Sequence, residues 1–435
     1  MNFKSDFLRE FSQRGFFAQA THAAELDEVF SNEKIAAYIG FDCTAKSLHA
    51  GNLIQIMILR LLQKHGHKPI VLLGGGTTRI GDPSGKDESR QVLSDEKISE
   101  NLSGIRKNLE KFISFGGGAS NAILVNNDDW LRHLNYIDFL REVGRHFSIN
   151  RMLTFDSVKS RLEREQPLSF LEFNYMILQA YDFFELNQKY NCRLQIGGSD
   201  QWGNIVNGVE LIRRMAIVNF YREIPNVKKG QENYDALGEQ FEKDFYESSF
   251  GLTSPLLTTA DGKKMGKTAE GAVWLDADML SPFDYFQYFR NTHDADVEKF
   301  LKLFTDLEIS EIEKLREKNI NSAKEILAFE ATKICHGEKI AAEVLQKARE
   351  IFVAKNSAAF EEKEISLGAE KNKKLTEIIF EIGAAESKGA SKKLIEGKGV
   401  KINGDVVLDV QHSIIEIGEF ELSVGKKKFF KIVIK

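Results

Sequence analysis

The sequence predicts an α/β fold with a parallel sheet, followed by an α-helical region and a small α+β module. Short apolar strand candidates alternate with helical stretches through the first part of the 435-residue chain. From about residue 282 the pattern changes to helices with charged faces, and the tail combines two helix candidates with a hairpin signal. These changes divide the chain into residues 1–281, 282–354, a polar linker at 355–371, and 372–435.

The first strand–helix–strand unit lies near the N-terminus. Residues 35–41 (IAAYIGF) and 70–73 (IVLL) are typical of buried strands, and residues 51–64 between them predict a helix that is apolar almost all round. Further strands and helices are expected to alternate, the strands at 123–127 and 192–198 and the helices around 133–146 and 171–186. This order predicts a doubly wound, Rossmann-like catalytic domain, which binds ligands at the carboxyl ends of its strands.

The rest of the chain is predicted to be helical and then mixed. Helices with charged faces, such as EISEIEKLREKN and AAEVLQKAREIF, fill residues 282–354. The tail contains helix candidates at 375–382 and 389–396. They are followed by VKINGDVV, in which Asn403-Gly404 suits the type I′ turn of a hairpin.

Composition and charge narrow the classes of protein that the chain fits. No apolar run approaches the ~20 residues of a membrane helix, and MNFKSDFLREF lacks the apolar core of a signal peptide, so we expect a cytoplasmic protein without membrane contact. The 3 cysteines, Cys43, Cys192 and Cys335, are scattered singly and build neither a disulfide framework nor a Cys-pair zinc site.

The net charge is −5 overall, but residues 371–435 hold 13 Lys and 9 Asp+Glu. This basic tail suits contact with a polyanion, although ordinary surface lysines would give the same composition.

One candidate ligand site is the loop after the first strand, from Gly40 to Leu53 (GFDCTAKSLHAGNL). A helix N-terminus there offers unpaired N–H groups and a partial positive charge to a phosphate, and Gly51 lets a flat ligand approach the backbone. Taken alone, His49 is more often a capping or core residue than a catalyst. Its position at the carboxyl end of a strand favours a functional role.

Two further segments carry glycine or lysine in patterns that suit phosphate. GGGTTRIGDPSGK at 74–86 invites a P-loop interpretation, which fails because Ile80 and Asp87 stand where that motif needs Gly and Ser or Thr. A glycine-rich surface loop is its plain alternative. Lys264 and Lys267 of KKMGKT, three residues apart, would neutralise charge as pyrophosphate leaves, whereas a solvated lysine cluster is the ordinary explanation of such a motif alone.

Together these motifs resemble the paired signatures of class I aminoacyl-tRNA synthetases, a histidine–glycine helix start and a KMxKS-like loop about 215 residues later. Within that class, the ordered set IGFDCTAKSLHAGN, IGDPSGKDESR, NNDDW, YMILQAYDF, CRLQIGGSDQWGN and KMGKT is similar to bacterial-type tyrosyl-tRNA synthetases. With the tail, the resemblance covers nearly the whole chain. It implies an enzyme that activates L-tyrosine with ATP and transfers the tyrosyl group to the terminal adenosine of tRNA(Tyr).

The resemblance implies a pocket for the amino acid. Tyr38 and Asp182 would bind the phenolic hydroxyl. Phenylalanine would leave this buried pair without a hydrogen-bond partner, and enzymes of this family are known to reject phenylalanine by ~10⁵-fold. The ammonium group of the substrate would be held by Asp82, Tyr175 and Gln179, with Gln195 and Gln201 nearby. Residues 175, 179 and 182 are spaced by four and three, which puts their side chains on one face of a helix. An ordinary polar stripe on a helix would show the same spacing.

The nucleotide site follows from the same resemblance. Thr44, His49 and Asn52 would contact phosphates or ribose, and pyrophosphate would be surrounded by Lys86, Arg90, Lys264 and Lys267. The ATP-binding set would also include Gly40, Asp42, Gly51, Gly198 and Asp200. The tyrosine carboxylate is itself the nucleophile, so no general base is required and catalysis depends on positioning and electrostatic stabilisation. We expect Mg²⁺ to travel with ATP, since the sequence offers no dedicated carboxylate cluster.

The resemblance extends to the tail and to the assembly. The tail from about residue 372 is similar to a small RNA-binding module shared with a ribosomal small-subunit protein. That module would present to RNA phosphates the side chains of Lys388, Lys392, Lys393, Lys398 and Lys401. The family also implies that the helical domain helps to read the anticodon region, and that the enzyme is a homodimer with tRNA crossing between subunits.

Three features depart from the family pattern. Asn52 stands where a second histidine is common, but its amide still donates hydrogen bonds, so we expect activity to survive. Cys43 replaces a proline, which removes a rigid turn. The segment 215–250 is longer than the family usually carries, and a surface excursion is the expectation for it.

Three other interpretations stay open on the sequence alone. Tryptophanyl-tRNA synthetases share the fold and signatures, although an indole has no hydroxyl for Tyr38 and Asp182 to bind. A catalytically inactive relative kept for RNA binding or splicing assistance would not need to retain His49, Asp82 and the lysines of the KMGKT loop. An unrelated nucleotide-binding protein would require the ordered motifs to be a coincidence.

Overall fold

Six strands of the described part of the chain form the central sheet in the computed structural model. They are β1 (Gln19–Ala20), β2 (Ala36–Asp42), β3 (Lys68–Gly74), β4 (Ile123–Asn126), β5 (Cys192–Gly198) and β6 (Phe250–Ser254). Their order is β1–β6–β5–β2–β3–β4, in which β1 pairs antiparallel with β6 and the other pairings are parallel. The predicted Rossmann-like parallel sheet is confirmed. Two short strands outside it, β7 (Lys267–Thr268) and β8 (Gly271–Ala272), pair antiparallel with each other.

The structure describes residues 2–82, 93–223, 249–260, 262, 265–268, 271–315, 319–358, 361–366, 372–403, 405–414, 418–425 and 428–435. Several residues named by the sequence prediction lie outside these ranges, namely Lys86, Arg90, Lys264, Gly404 and most of the 215–250 segment. For Lys267 only the backbone is described. The chain divides into two compact units, Met1–Val344 and Leu345–Lys435.

Helices cover the sheet in the first unit. They are α1 (Asp6–Gln13), α2 (Ala23–Asn32), α3 (Leu53–Lys64), α4 (Asp95–Leu109), α5 (Asp128–Leu131), α6 (Tyr136–Glu142), α7 (Ile149–Met152), α8 (Asp156–Glu163), α9 (Phe170–Phe173), α10 (Tyr175–Tyr190) and α11 (Trp202–Glu223). α3 buries most of its apolar side chains, because it lies between β2 and β3 and is covered by protein on several sides. The predicted helix at 133–146 is shorter than expected and ends in a 3-10 turn at Gly144–His146, and the one at 171–186 is divided at Asn174.

The change to helices at residue 282 is present in the structure. α12 (Pro282–Arg290) begins with a proline, whose fixed φ suits the first helical turn, and the Ser281 side chain accepts the backbone N–H of Asp284. The helices that follow are α13 (Val297–Phe304), α14 (Ile309–Leu315), α15 (Ile320–His336) and α16 (Glu338–Ala358). Residues up to Val344 belong to the same compact unit as the sheet, so the predicted boundary at 281/282 lies within one unit and the separate helical domain stays a prediction.

The second unit contains a small mixed fold. Its described elements are β9 (Glu361–Ile365), β10 (Lys373–Lys374), α17 (Leu375–Glu381), α18 (Lys388–Glu396), β11 (Val400–Ile402), β12 (Asp405–Val406), β13 (Ser413–Ile414), β14 (Gly418–Val424) and β15 (Lys428–Ile434). Within these residues a five-stranded sheet has the order β12–β11–β14–β15–β9 and packs on α17 and α18. Asn403, between β11 and β12, has φ 51°, the left-handed conformation that the predicted type I′ turn requires.

The linker predicted at 355–371 is wrong for its described residues. α16 continues to Ala358, and β9 pairs in parallel with β15 as an edge strand of the small sheet. Of the β9 side chains that the structure describes, at 362–365 of the sequence EEKEI, Ile365 is buried in the core, whereas Glu362 and Glu364 are exposed. An edge strand that contributes one apolar side chain therefore has the composition of a solvated linker.

The composition-based expectations are also addressed by the structure. Cys43, Cys192 and Cys335 are free and buried. Within the described part of the chain, every helix is too short or too polar to cross a lipid bilayer.

Candidate active site

A cleft opens at the carboxyl ends of β2 and β5, two neighbouring strands from which the sheet is built outward in opposite directions. Such a reversal of strand order is where open α/β sheets bind ligands. The cavity encloses about 310 Å³. The predicted site residues that line it are Tyr38, Gly40, Asp42, Thr44, His49, Asn52, Asp82, Tyr175, Gln179, Asp182, Gln195, Gly198 and Gln201.

The floor of the cleft is buried and polar. Tyr38 on β2 and Asp182 on α10 are 1% and 2% exposed. The two carboxylate oxygens of Asp182 accept hydrogen bonds from Trp130 Nε1 at 2.8 Å and Asn127 Nδ2 at 2.9 Å. Among the described residues, the Tyr38 hydroxyl and the Gln195 Oε1 atom have no hydrogen-bond partner. Buried polar atoms are rarely left unpaired, so these two point to a polar ligand or water in the cleft.

The electrostatics of the floor follow from burial. The pKa of Asp182 is raised to about 7, mainly by burial; the hydrogen bonds from Asn127 and Trp130 oppose the rise, and the charges of Asp42 and Glu185 add to it. Burial, and then the nearby Asp182 charge, raise the pKa of Tyr38 well above its ordinary value. Tyr38 therefore keeps its proton, while Asp182 changes ionisation near neutral pH. A neutral hydroxyl beside a carboxylate is complementary to an aromatic alcohol.

A second group of polar side chains lies along one wall. Asp82 is 8% exposed and accepts a hydrogen bond from Gln201 Nε2 at 2.8 Å. The Tyr175 hydroxyl donates to Asp42 Oδ1 at 3.1 Å, and Gln179 lies one turn further along the same face of α10. Two carboxylates framed by amides and a phenol suit a bound cation such as an ammonium group.

The opposite end of the cleft is the His49 turn, residues 49–52, which begins α3. His49 Nδ1 accepts the backbone N–H of Gly51 at 3.0 Å, and Asn52 Oδ1 accepts the backbone N–H of His49 at 3.1 Å. Asn52 thus has a capping role that its place in the motif did not indicate. The turn presents the start of a buried helix to the cleft, as an anion site requires.

The segment 258–268 is called the signature loop, and its described residues Met265 and Gly266 pack against the His49 turn. Gly266 has φ +90°, and a Cβ atom there would lie 2.3 Å from the backbone N of Gly51. A Cβ atom on Gly51 would in turn lie 3.0 Å from the Met265 carbonyl oxygen. After the loop, the Val273 carbonyl accepts the backbone N–H of Ala50 at 2.7 Å. The two motifs, far apart in sequence, therefore pack directly against each other at this end of the cleft.

Other predicted residues lie beside the cleft. A Cβ atom on Gly198 would lie 2.5 Å from Asp200 Oδ1, so the Asp200 carboxylate is adjacent to a lining residue without itself lining the cavity. The backbone N–H of Cys43 donates to Thr78 Oγ1 at 2.8 Å, a bond that the proline common at this position cannot make. The turn that loses a proline is therefore held by a hydrogen bond instead.

Sequence reasoning missed the roles of Asn127 and Trp130, which follow β4 in the NNDDW motif. The sequence feature that could have revealed them is an amide side chain at the carboxyl end of a strand, followed three residues later by an indole. Both carry N–H donors that need an acceptor when they are buried. Thr77 was also missed, although its hydroxyl accepts a hydrogen bond from Asn127 at 3.0 Å and lies 3.3 Å from Asp42 Oδ1.

Comparisons with known proteins agree with this geometry. The family model "tRNA synthetases class I (W and Y)" matches residues 31–353. The tyrosine--tRNA ligase of Ehrlichia ruminantium (strain Welgevonden) is 54% identical, covering 100% of this chain and 99% of the relative. That of Zymomonas mobilis subsp. mobilis is 52% identical, covering 98% of this chain and 97% of the relative. A C-terminally truncated Aspergillus nidulans mitochondrial tyrosyl-tRNA synthetase has a TM-score of 0.67 and 31% identity, covering 80% of this chain and 94% of that chain.

The chain belongs to the class I tRNA synthetases of the W and Y family, which the match over 31–353 and the full-length relatives show. It is therefore an aminoacyl-tRNA ligase, and an unrelated nucleotide-binding protein is excluded.

Proposed function

We propose that the cleft joins L-tyrosine to ATP as tyrosyl-adenylate and then transfers the tyrosyl group to the terminal adenosine of tRNA(Tyr). The chain has tyrosine–tRNA ligase activity, as its full-length relatives at 50–54% identity do. Those relatives disfavour the tryptophan alternative and an inactive relative. The observation that carries the substrate assignment is the Tyr38 hydroxyl, buried beside Asp182 and without a partner among the described residues.

The phenolic hydroxyl of tyrosine would lie between Tyr38 and Asp182. It would donate to the carboxylate and accept from the Tyr38 hydroxyl, which pairs both buried groups. Phenylalanine would leave both unpaired, so its binding is penalised by their desolvation. The remainder of the substrate, with its ammonium group at the wall of the cleft, would be contacted by Asp82, Tyr175, Gln179, Gln195 and Gln201.

The first step needs positioning more than acid–base chemistry. A carboxylate oxygen of tyrosine attacks the α-phosphorus of ATP, the bond to the bridging oxygen of the β-phosphate breaks, and pyrophosphate leaves with the electron pair. Thr44, His49 and Asn52 would contact the phosphates or ribose at the start of α3. On the adenosine side, the backbone and ribose contacts would come from Gly40, Asp42, Gly51, Gly198 and Asp200. The charge on pyrophosphate would be neutralised by Lys86, Arg90, Lys264 and Lys267, an assignment that rests on the motifs.

We expect Mg²⁺ to accompany the nucleotide. Within the described residues, no group of three or more His, Cys, Asp or Glu side chains could hold a metal ion. The donor set therefore does not fit a protein-built metal cage, and the phosphates and water would supply the ligands.

An exposed apolar surface on α6, α7 and α9 supports the proposed homodimer. Tyr136, Ile137, Ile149 and Phe170 are 60%, 67%, 64% and 71% exposed. Large apolar side chains concentrated in this way mark protein interfaces. A second copy of the chain, presenting the same surface, would cover them.

The second unit is proposed to bind tRNA. Lys388, Lys392, Lys393, Lys398 and Lys401 follow one another along α18, the next turn and β11, and all five are exposed. Exposed lysines repeated along a small module suit contact with RNA phosphates. The helices after residue 282 are proposed to help read the anticodon region, and the enzyme is proposed to work in the cytoplasm, as the family resemblance implies.

ATP–pyrophosphate exchange tests the substrate assignment. The purified protein is assayed separately with tyrosine, phenylalanine and tryptophan, and we expect exchange with tyrosine to exceed the other two by orders of magnitude. Exchange that depends on tryptophan instead, or on none of the three, would overturn the proposal. Tyr38→Phe should reduce the preference for tyrosine over phenylalanine.

A further inference from the structure

The signature loop is held from the helical side as well as from the His49 turn. Asp296, which precedes α13, is 4% exposed although it carries a carboxylate. Its Oδ2 accepts the backbone N–H of Ala260 at 2.6 Å, and its Oδ1 lies 2.7 Å from Lys299 Nζ. The same ammonium group donates to the Thr258 carbonyl oxygen at 3.0 Å. This ion pair, whose carboxylate is buried while the Lys299 side chain is 42% exposed, therefore binds the backbone at the beginning of the loop.

The other end of the described loop is held by Tyr288 on α12. Its hydroxyl oxygen accepts the backbone N–H of Gly266 at 3.3 Å. On the opposite side Gly266 approaches Gly51, where even a methyl group would overlap the backbone. Gly266 therefore lies between α12 and the His49 turn and contacts both. A displacement of α12 or of the turn would also displace Gly266.

These polar contacts bridge a space that apolar packing does not fill. Among the described residues, a cavity of about 740 Å³ lies beside the loop and its following strand. Its walls include Ala272 and Val273 on one side and Tyr288, Asp296 and Phe300 on the other. Where apolar packing is sparse, a few hydrogen bonds decide the position of a backbone segment.

We propose that Tyr288 and Asp296 are positioning residues for adenylate formation, which hold the signature loop against the His49 turn without contacting substrate. The step depends on placing the loop next to the departing pyrophosphate, and misplacement by about 1 Å costs rate steeply. The inference rests on the proposed function, because that function assigns the loop to the pyrophosphate side of the cleft. It adds two residues outside the cleft to the machinery of the reaction.

Two conservative variants isolate the two anchors. Tyr288→Phe removes only the hydroxyl group whose oxygen accepts the Gly266 N–H. Asp296→Asn removes the charge but keeps a carbonyl oxygen that still accepts the Ala260 N–H. Each has a matched control nearby. Tyr285→Phe alters a buried tyrosine of the same helix, whose hydroxyl interacts with Cys335, and Asp294→Asn alters an exposed aspartate that pairs with Lys324 at 2.5 Å.

The measurement is ATP–pyrophosphate exchange with saturating tyrosine, together with tyrosine binding by equilibrium dialysis and thermal unfolding. Loss of one hydrogen bond to the loop predicts a fall in kcat of about threefold to tenfold for Tyr288→Phe. Asp296→Ala should fall further than Asp296→Asn, because only asparagine keeps an acceptor. Tyrosine affinity should stay within about twofold of wild type, and both control variants should exchange at the wild-type rate.

Wild-type kcat in both Tyr288→Phe and Asp296→Asn would overturn the inference. So would a parallel loss of tyrosine affinity and thermal stability, because a purely structural role affects all three quantities together. Absence of tyrosine-dependent exchange in the wild-type protein would refute the proposed function itself. Failure of the Tyr288 and Asp296 proposal alone would leave wild-type exchange intact, so the wild-type assay distinguishes the two outcomes.

Discussion

Trp130→Phe tests how the structure sets the ionisation of Asp182. Trp130 Nε1 donates to Asp182 Oδ1 at 2.8 Å, and phenylalanine keeps a ring at that position while removing the N–H. A hydrogen bond to a charged group contributes about 1.5–3 kcal/mol, and one pKa unit corresponds to about 1.36 kcal/mol. The pKa of Asp182, which burial raises to about 7, should therefore rise by about 1 to 2 further units in the variant.

The assay is the pH dependence of kcat/KM for tyrosine in ATP–pyrophosphate exchange. The ionised carboxylate is the stronger acceptor for a phenolic hydroxyl, so activity should increase as pH rises through the pKa of Asp182. At pH 7 about half of the wild-type carboxyl groups are ionised, against about 1–10% in the variant, so kcat/KM should be about fivefold to fiftyfold lower. The loss should shrink as the pH is raised toward 9.

The control is Trp202→Phe, which changes a tryptophan that does not line the cleft. Its pH profile should match that of wild type. If the Trp130→Phe profile also superimposes on wild type, or is lowered equally at every pH, the indole N–H does not tune Asp182. An equal loss at all pH values would instead indicate damaged packing of the pocket floor.

Three other substitutions give independent tests. Gly266→Ala should lower kcat for exchange at least about tenfold without changing tyrosine affinity, because its φ is +90° and its Cβ would lie 2.3 Å from Gly51 N; full activity would contradict the close approach. Burial disfavours the charged form of Glu10, yet hydrogen bonds from a histidine, a lysine and an arginine outweigh it and hold its pKa below the usual 4.5, so its stabilising contribution is present above pH 4.5 and lost as pH falls. In urea unfolding, Glu10→Gln should therefore cost about 1–3 kcal/mol at pH 7 and progressively less below pH 4.5, whereas a cost independent of pH would refute the ionic explanation. Lys392→Glu combined with Lys393→Glu should weaken tRNA binding and make its dependence on salt shallower, and an unchanged salt slope would remove these lysines from the RNA surface.

The sequence predicted the parts of the fold that depend on local preference. The apolar runs at 35–41, 70–73 and 192–198 became β2, β3 and β5, and the all-round apolar segment became α3, because a buried strand or helix requires apolar residues at a fixed period. The polar 355–371 segment was predicted wrongly for the same reason. Among the described side chains of β9, at residues 362–365, Ile365 alone is buried, so the local composition of the strand carries little information about its pairing with β15.

By itself, the sequence determined the family, the reaction and most residues that line the cleft, because these residues stand in short motifs whose residue types can be recognised along the chain. Only the tertiary structure decided how those residues are held. Trp130 reaches Asp182 across 52 positions, and Asp296 reaches Ala260 across 36. The ionisation of Asp182 and the position of the signature loop depend on burial and on hydrogen bonds between distant segments. These are properties of the packed chain, and a pattern in neighbouring residues does not record them.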